Sequence, residues 1–145
     1  MPSRDFSITV EINAPPETVW HVMADIERWA EWTPSVTRIE RLDSGPLAVG
    51  SRARVVQPKV PPAVWQVTEF DPGRSFSWKS GSAIAWCVAK HWVEVAEQGS
   101  RAGLSLHFGG PLGGIIGRLL TNINNRYLAM EAAGLKEKSE GLNAT

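Results

Sequence analysis

The chain has 145 residues, of which 43% are hydrophobic and 21% charged, as expected for one globular domain. Fifteen Lys and Arg balance fifteen Asp and Glu, so the charge gives no indication of a nucleic-acid partner. A single cysteine, Cys87, excludes an intrachain disulfide, and the absence of a CxxC partner argues against a thiolate zinc site. The sequence has no signal-peptide core and no run of about 18 apolar residues, which predicts a cytoplasmic protein without a membrane span.

The first third of the chain predicts a strand and two short helices. Residues 6–12 alternate between apolar and polar side chains, which is typical of a half-buried strand. Two prolines and Glu17 then suit the first turn of a helix, whose apolar face carries Val19, Val22, Met23 and Ile26. Asp25 is a candidate cap for a second short helix. That helix should end near Thr33, because a residue that precedes proline avoids the helical region.

From Val36 to Phe108 the chain predicts an antiparallel meander. Turn signals rich in Gly, Pro, Asp and Ser separate six apolar stretches, at 36–42, 51–58, 63–70, 75–80, 83–95 and 101–108. Such short connections favour antiparallel pairing between successive strands. The prolines of the segment "PKVPP" cannot lie in a central ladder, so we expect this loop at an edge or a rim.

The last segment predicts one long amphipathic helix. Its apolar stripe follows helical spacing through Leu112, Ile115, Ile116, Leu119, Leu120, Ile123, Tyr127 and Met130. About 26 residues would span roughly 39 Å, enough to cover the apolar face of a curved sheet. A sheet that curves around one helix tends to leave a space between them.

Three stretches, "INAPPETVWHVMADIERWAEWTPSV", "VWQVTEFDPGRSFSW" and "AKHWVEV", resemble the polyketide cyclase/dehydrase family of the START/Bet v 1-like (SRPBCC) superfamily. The order of predicted elements matches as well, so the resemblance covers nearly the whole chain. It implies a single α+β domain over residues 1–145 with the helix-grip fold, in which about seven antiparallel strands wrap around a long C-terminal helix. Members bind sterols, lipids, hormones or polyketides, and some catalyse cyclisation.

Seven of the twelve aromatic residues are Trp, which is compatible either with a Trp-rich core or with a cavity walled by indoles. In the helix-grip fold the second short helix closes one end of the cavity, so Trp29 would pack inward. Trp32 would lie near the entrance. The expected cavity wall consists of Trp32, Trp65, Trp78, Trp86, His91, Ile116, Leu120 and Ile123. Both faces of residues 83–95 are apolar, so either a bulge reverses the strand or one set packs outside, with Trp92 then exposed or at an interface.

His91 is the candidate catalytic residue, because it shares a strand face with Val93 and Val95 and an imidazole can shuttle protons. The alternative is a histidine that only satisfies a neighbouring group. Arg54 and Glu69 could pair across neighbouring strands if their faces point inward, and otherwise form a solvated pair outside. No catalytic triad order, metal-ligand spacing or phosphate-binding motif is present, so we expect no metal and no cofactor.

These observations favour a binding protein for an apolar or aromatic small molecule, lipid-like or polyketide-like, with or without cyclase/dehydrase activity on it. The alternative is an interaction module that docks on a larger protein through Trp92 and a surface loop, with the cavity vestigial. A fold does not carry its chemistry with it, so the fold alone does not separate these functions.

Overall fold

The computed structural model describes residues 4–143 and consists of one curved antiparallel sheet, three α-helices and one 3₁₀ helix. The strands are β1 (Asp5–Ile12), β2 (Arg38–Arg41), β3 (Arg52–Val56), β4 (Ala63–Asp71), β5 (Ser75–Gly81), β6 (Trp86–Ala96) and β7 (Gly99–Gly109). The sheet order is β1-β7-β6-β5-β4-β3-β2, so β2 to β7 form the predicted meander and β1 closes onto the last strand. This is the helix-grip fold expected from the resemblance.

The N-terminal elements follow their predicted pattern. In β1 the even-numbered residues face inward, and Phe6 and Ile12 are buried. The first helix, α1 (Pro16–Ala24), begins at its prolines, and the 3₁₀ helix (Ile26–Glu31) ends just before Thr33. Asp25 occupies the expected N-cap position of the 3₁₀ helix, but its side chain makes no capping hydrogen bond. The indole of Trp29, which is 3% exposed, donates to the Met23 carbonyl at 3.0 Å and ties the 3₁₀ helix to α1.

A bulge in β4 decides which side chains of the meander face inward. The register with β5 pairs Val67 with Trp78 and Glu69 with Ser77, which leaves Thr68 as the extra residue. A bulge reverses the alternation of faces beyond it. Val67 is therefore buried and Glu69, two residues later, is exposed.

Strand β6 contains no such reversal. Cys87, Ala89, His91 and Val93 face the interior, whereas Trp86, Val88, Lys90 and Trp92 lie on the outer face. The prediction that one apolar set packs outside is the correct alternative. Val95, expected to be buried beside His91, is 79% exposed because it lies at the end of the hairpin. Trp92 is not freely exposed, since its ring lies across Gly103 of β7, where a Cβ would meet it at 2.1 Å.

The C-terminal helix is broken in two, which corrects the single predicted stripe. Helix α2 (Gly113–Leu119) and helix α3 (Thr121–Asn143) meet at Leu120, whose ψ of 12° is not helical. Glycines weaken the first segment, and the Thr121 hydroxyl bonds to the Arg118 carbonyl at 2.8 Å, competing with the helix ladder. Leu112, Ile115 and Leu119 consequently point to solvent. The buried face of α3 instead carries Asn124, Tyr127, Leu128, Ala132, Leu135 and Ser139.

The core lies between the concave face of the sheet and helix α3. One cluster, with Val67, Phe76 and Trp78, packs against α1, the 3₁₀ helix and Leu135. A second cluster, with Phe6, Leu104 and Phe108, packs against Leu128 and Ala132. Within residues 4–143 no helix is both long and apolar enough to cross a bilayer.

Candidate functional site: an indole-walled cavity beneath helix α3

An internal cavity of about 210 Å³ lies between the sheet and α3. Every layer of the fold contributes to its wall, from the 3₁₀ helix through β3 to β7 and on to the C-terminal helix. Most of the lining is apolar, and it includes Trp29, Val36, Val55, Trp65, Trp78, Ala89, Leu104, Leu106, Phe108, Leu120, Ile123 and Leu128. Seven polar side chains interrupt this wall: Gln57, Cys87, His91, Ser105, Asn124, Tyr127 and Glu131.

Three indoles form one continuous wall of the cavity. The ring centroids of Trp29 and Trp78 are 5.7 Å apart, and those of Trp65 and Trp78 are also 5.7 Å apart. Tilted and edge-on contacts at such distances stabilise aromatic clusters beyond the area they bury. The three inclined rings therefore form one continuous aromatic surface, which presents π surface to whatever fills the space.

His91 lies at the base of this aromatic wall. Its ring stacks on Phe76 with centroids 4.6 Å apart and meets Trp29 edge-on at 5.1 Å. Burial lowers the pKa of His91 to about 3, with a hydrogen bond to the Phe76 backbone opposing the shift. The imidazole is therefore neutral at physiological pH. Its Nδ1 is buried without a hydrogen-bonding partner among the described residues.

Helix α3 supplies a carboxyl group and an amide to the opposite side. The Ser35 hydroxyl donates to Glu131 Oε2 at 3.3 Å and lies 2.7 Å from the Thr33 hydroxyl. Burial raises the pKa of Glu131 to about 7, and the Ser35 hydrogen bond opposes that shift. Two helical turns before Glu131 in α3, Asn124 Nδ2 is buried and has no partner among the described residues.

Two further contacts fix the rim of the cavity. The Tyr127 hydroxyl donates to the Pro58 carbonyl, and Gln57 Nε2 donates to the Ser35 carbonyl at 3.1 Å. The first bond holds the loop between β3 and β4 against α3, and the second ties this loop to the segment that follows the 3₁₀ helix. Pro61 of this loop lines the cavity and is exposed, so the cavity approaches the surface here.

The cavity combines features suited to an apolar ligand that carries a polar group. Flat indole surface favours rings, and the unpaired nitrogen atoms of His91 and Asn124 can bond to a ligand once it displaces water. Buried polar atoms without partners are rare in proteins, and two of them border this cavity, which makes it the candidate site of the molecule. Glu131, with its pKa near neutrality, can donate or accept a proton at physiological pH.

Five of the sequence-predicted site residues line this cavity: Trp65, Trp78, His91, Leu120 and Ile123. The other five, Trp32, Arg54, Glu69, Trp86 and Ile116, do not. Trp32 contacts Trp29 at 5.5 Å but borders a separate surface groove beside Gly134 and Glu137. Ile116 packs into the second core cluster.

The charged pair and Trp86 lie on the outer face of the sheet. Arg54 alternates with buried Ala53 and Val55, and the β4 bulge turns Glu69 outward, so neither reaches the interior. Among the residues that the structure describes, the two form no ion pair with each other. Trp86 lies across Gly109 and under Lys79 Nζ, which is 4.5 Å from its ring.

The polar residues of α3 were not predicted, although the sequence carries a signal for them. Asn124, Tyr127, Glu131 and Leu135 recur at helical spacing, so two polar side chains interrupt an apolar face. Such interruptions are informative because buried polar residues are uncommon. The predicted apolar stripe continued the leucines and isoleucines of α2 into α3, and it was therefore out of phase with the observed buried face of α3 by about one residue. In the described part of the chain, no group of three or more His, Cys, Asp or Glu is placed to hold a metal ion.

The fold is shared with several solved structures. TTHA0849 from Thermus thermophilus superposes with a TM-score of 0.75 at 19% identity, over 95% of this chain and 98% of the other. The Zhui aromatase/cyclase from a Streptomyces species gives 0.70 at 19% identity, over 97% and 96%. Ara h 8.0201 gives 0.64 at 16% identity, over 97% of each chain. At these identities the likeness concerns the fold alone.

A comparison with curated protein sequences finds no match. The family described as "polyketide cyclase / dehydrase and lipid transport" matches residues 3–140, nearly the whole chain. Together with the helix-grip architecture, this match shows that the chain belongs to the polyketide cyclase/dehydrase and lipid transport family.

Proposed function

We propose that the protein binds a small aromatic or apolar molecule of one or two rings in the cavity beneath α3. The observation that carries this proposal is the pairing of an indole wall with two buried, unpartnered nitrogen atoms, those of His91 and Asn124. A volume of about 210 Å³ is smaller than the roughly 300–1,000 Å³ of most ligand pockets. The size therefore favours a ligand smaller than a sterol.

The ligand's rings would lie against Trp65 and Trp78, and its polar group would face α3. Neutral His91 accepts or donates a hydrogen bond without the cost of burying a charge. The Asn124 amide donates to a carbonyl or hydroxyl oxygen. This arrangement gives orientation as well as affinity, since each end of the ligand meets a matching surface.

Binding can be tested with 2-naphthol, which has two fused rings and one hydroxyl group. We expect it to quench tryptophan fluorescence and to raise the melting temperature, since a ligand at 100 times its Kd stabilises the folded state by about 2.7 kcal/mol. Trp65→Ala should weaken binding about tenfold, because aromatic contacts contribute about 0.5–1.5 kcal/mol each. Trp86→Ala, on the outer face, is the matched control. Equal losses in both variants, with both folded, would contradict the assignment of the cavity.

A second candidate function, acid–base catalysis of the cyclase or dehydrase type, is favoured by Glu131. Its pKa of about 7 suits proton transfer at neutral pH, whereas His91, with its pKa of about 3, suits hydrogen bonding to the substrate. The two-ring ketone 2-tetralone reports on such a base through exchange of its α-protons for deuterium. Glu131→Gln should slow protein-dependent exchange by about 10²–10⁴-fold. Bound tetralone that exchanges no faster than in buffer would refute catalysis and leave binding.

The interaction-module alternative finds less support. It relied on an exposed Trp92, and that ring is partly buried against Gly103 on the outer face of the sheet. Specific capture of a partner protein that is abolished by Trp92→Ser would favour this alternative over the cavity.

A further inference from the structure

One end of the molecule carries a cluster of exposed apolar side chains that the cavity does not use. This apolar tip consists of Ile84, Leu112, Ile115 and Leu119. The exposed fractions of these side chains are 56%, 44%, 59% and 77% in the same order. Single exposed leucines are ordinary on protein surfaces, but four that meet at one end of a small domain form a patch.

The tip is one surface built from two elements. The Leu112 amide donates to the Ile84 carbonyl at 2.8 Å, which joins the start of α2 to the connection between β5 and β6. Helix α2 is itself two-sided: Gly113 and Gly117 are buried and Ile116 packs into the core cluster, while Ile115 and Leu119 face solvent. The inner side of α2 provides its packing against the core, and the outer apolar side has no partner among the described residues.

The charges around the tip are almost all positive. The antiparallel order brings the β3–β4, β5–β6 and β7–α2 connections to this end of the sheet. Its basic residues are Lys59 of the β3–β4 loop, Lys79 near the end of β5, Arg118 of α2, and Arg4, which donates to the Phe108 carbonyl. Residues 98–130 contain no Asp or Glu, nor do residues 44–68 and 72–93. Asp5 is the acidic residue at this end, and its carboxylate bonds to His107 at 2.6 Å. Since the whole chain has a net charge of zero, the acidic residues concentrate elsewhere.

We propose that the apolar tip docks on the surface of an anionic lipid bilayer. An apolar patch ringed by Lys and Arg is the combination that binds such a surface, because the apolar side chains enter the boundary of the acyl chains while the cations meet the headgroups. A second copy of the chain fits less well. A symmetric contact through the tip would bring Arg118 and its neighbours against their own equivalents, and like charges repel.

The apolar tip lies next to the end of the cavity that approaches the surface. Leu119 of the tip is followed directly by Leu120, which lines the cavity. Pro61, both exposed and cavity-lining, belongs to the loop that Tyr127 holds against α3 at the same end. A molecule dissolved in the bilayer would therefore meet the cavity near the docked surface.

The proposal is tested by co-sedimentation with vesicles of phosphatidylcholine, with and without phosphatidylglycerol. We expect binding to the anionic vesicles that weakens as salt is raised, since the headgroup attraction is screened. Leu119→Ser should lower the partition constant about tenfold, and Arg118→Gln about fivefold, the effect of one basic residue near an anionic surface. Val95→Ser is the matched control, because Val95 is 79% exposed at the opposite end of the sheet.

The proposal is overturned if the folded protein does not sediment with anionic vesicles, or if Val95→Ser and Leu119→Ser weaken binding equally. It is also overturned if light scattering finds a dimer that Leu119→Ser converts to a monomer, since a second copy then covers the tip. Binding of 2-naphthol is measured in the same variants. Leu119→Ser should leave it unchanged, so failure of the docking proposal is distinguishable from failure of the cavity.

Discussion

Two titratable groups that line the cavity, Glu131 and His91, should change the free energy of unfolding in opposite directions as pH rises. Burial raises the pKa of Glu131 from 4.5 to about 7, so the folded state holds a proton that the unfolded state has released. Its contribution to stability is complete below pH 4.5 and is lost as pH rises to 7. Burial lowers the pKa of His91 from 6.5 to about 3. That contribution is complete above pH 6.5 and is lost as pH falls toward 3.

The magnitudes follow from the linkage relation, in which one proton changes the free energy of unfolding by about 1.4 kcal/mol per pH unit. Glu131 accounts for at most about 3 kcal/mol between pH 4.5 and 7, and His91 for at most about 5 kcal/mol between pH 3 and 6.5. In the shared window, pH 4.5 to 6.5, the two slopes have opposite signs and cancel. The wild-type protein should therefore show little pH dependence from this pair.

Substituting one group of the pair should reveal the pH dependence that the other group contributes to the free energy of unfolding. Relative to wild type, the free energy of unfolding of Glu131→Gln should rise by about 3 kcal/mol from pH 4.5 to 6.5, and that of His91→Gln should fall by about the same amount. Urea unfolding at half-unit pH steps measures both differences. Glu137→Gln and His21→Gln make the same substitutions at exposed positions and are the matched controls. A flat difference for Glu131→Gln would refute the assignment of a buried carboxyl that titrates near neutrality.

Two further predictions concern packing around the cavity and α3. Burial raises the pKa of the Cys87 thiol to about 12, so iodoacetamide at pH 8 should alkylate it at least tenfold more slowly in the native protein than in urea. Mass spectrometry follows the alkylation, and equal rates would mean that Cys87 is open to solvent. Gly134→Ala should destabilise the protein by about 1–3 kcal/mol in thermal unfolding, because a Cβ there would lie 1.9 Å from the Trp32 carbonyl oxygen, whereas Gly141→Ala, with nothing within 4 Å, should be neutral or stabilising.

Local pattern accounted for most of the elements. The alternation in 6–12 predicted β1, the prolines predicted the start of α1, and the glycine and proline turn signals separated the six strands of the meander. Each of these signals acts within a few residues, through backbone dihedral preference or the burial of one face, so it survives whatever packs against it. The family resemblance supplied the order of the layers, which local pattern alone does not contain.

The cavity wall was harder to predict because its members depend on strand phase. One inserted residue at Thr68 turned Glu69 away from the interior, and the lack of a bulge in β6 left Trp86 on the face opposite His91. Neither event changes composition or periodicity over a window of several residues. Phase is set by the hydrogen-bonding partner strand, and the partner is known only once the sheet has formed.

The sequence by itself therefore determined the elements, the meander and the presence of a neutral, Trp-rich domain, because short-range pattern and composition are sufficient for those. The helix-grip arrangement of these elements came from the family resemblance. Tertiary structure alone decided that Trp29, Trp65 and Trp78 share one wall, that the C-terminal helix breaks at Leu120, and that the Glu131 carboxyl is desolvated on the cavity wall although the residue is only partly buried. The pKa of Glu131 near 7 follows from that desolvation. Desolvation depends on every neighbour that excludes water, and those neighbours come from strands and helices far apart in the chain.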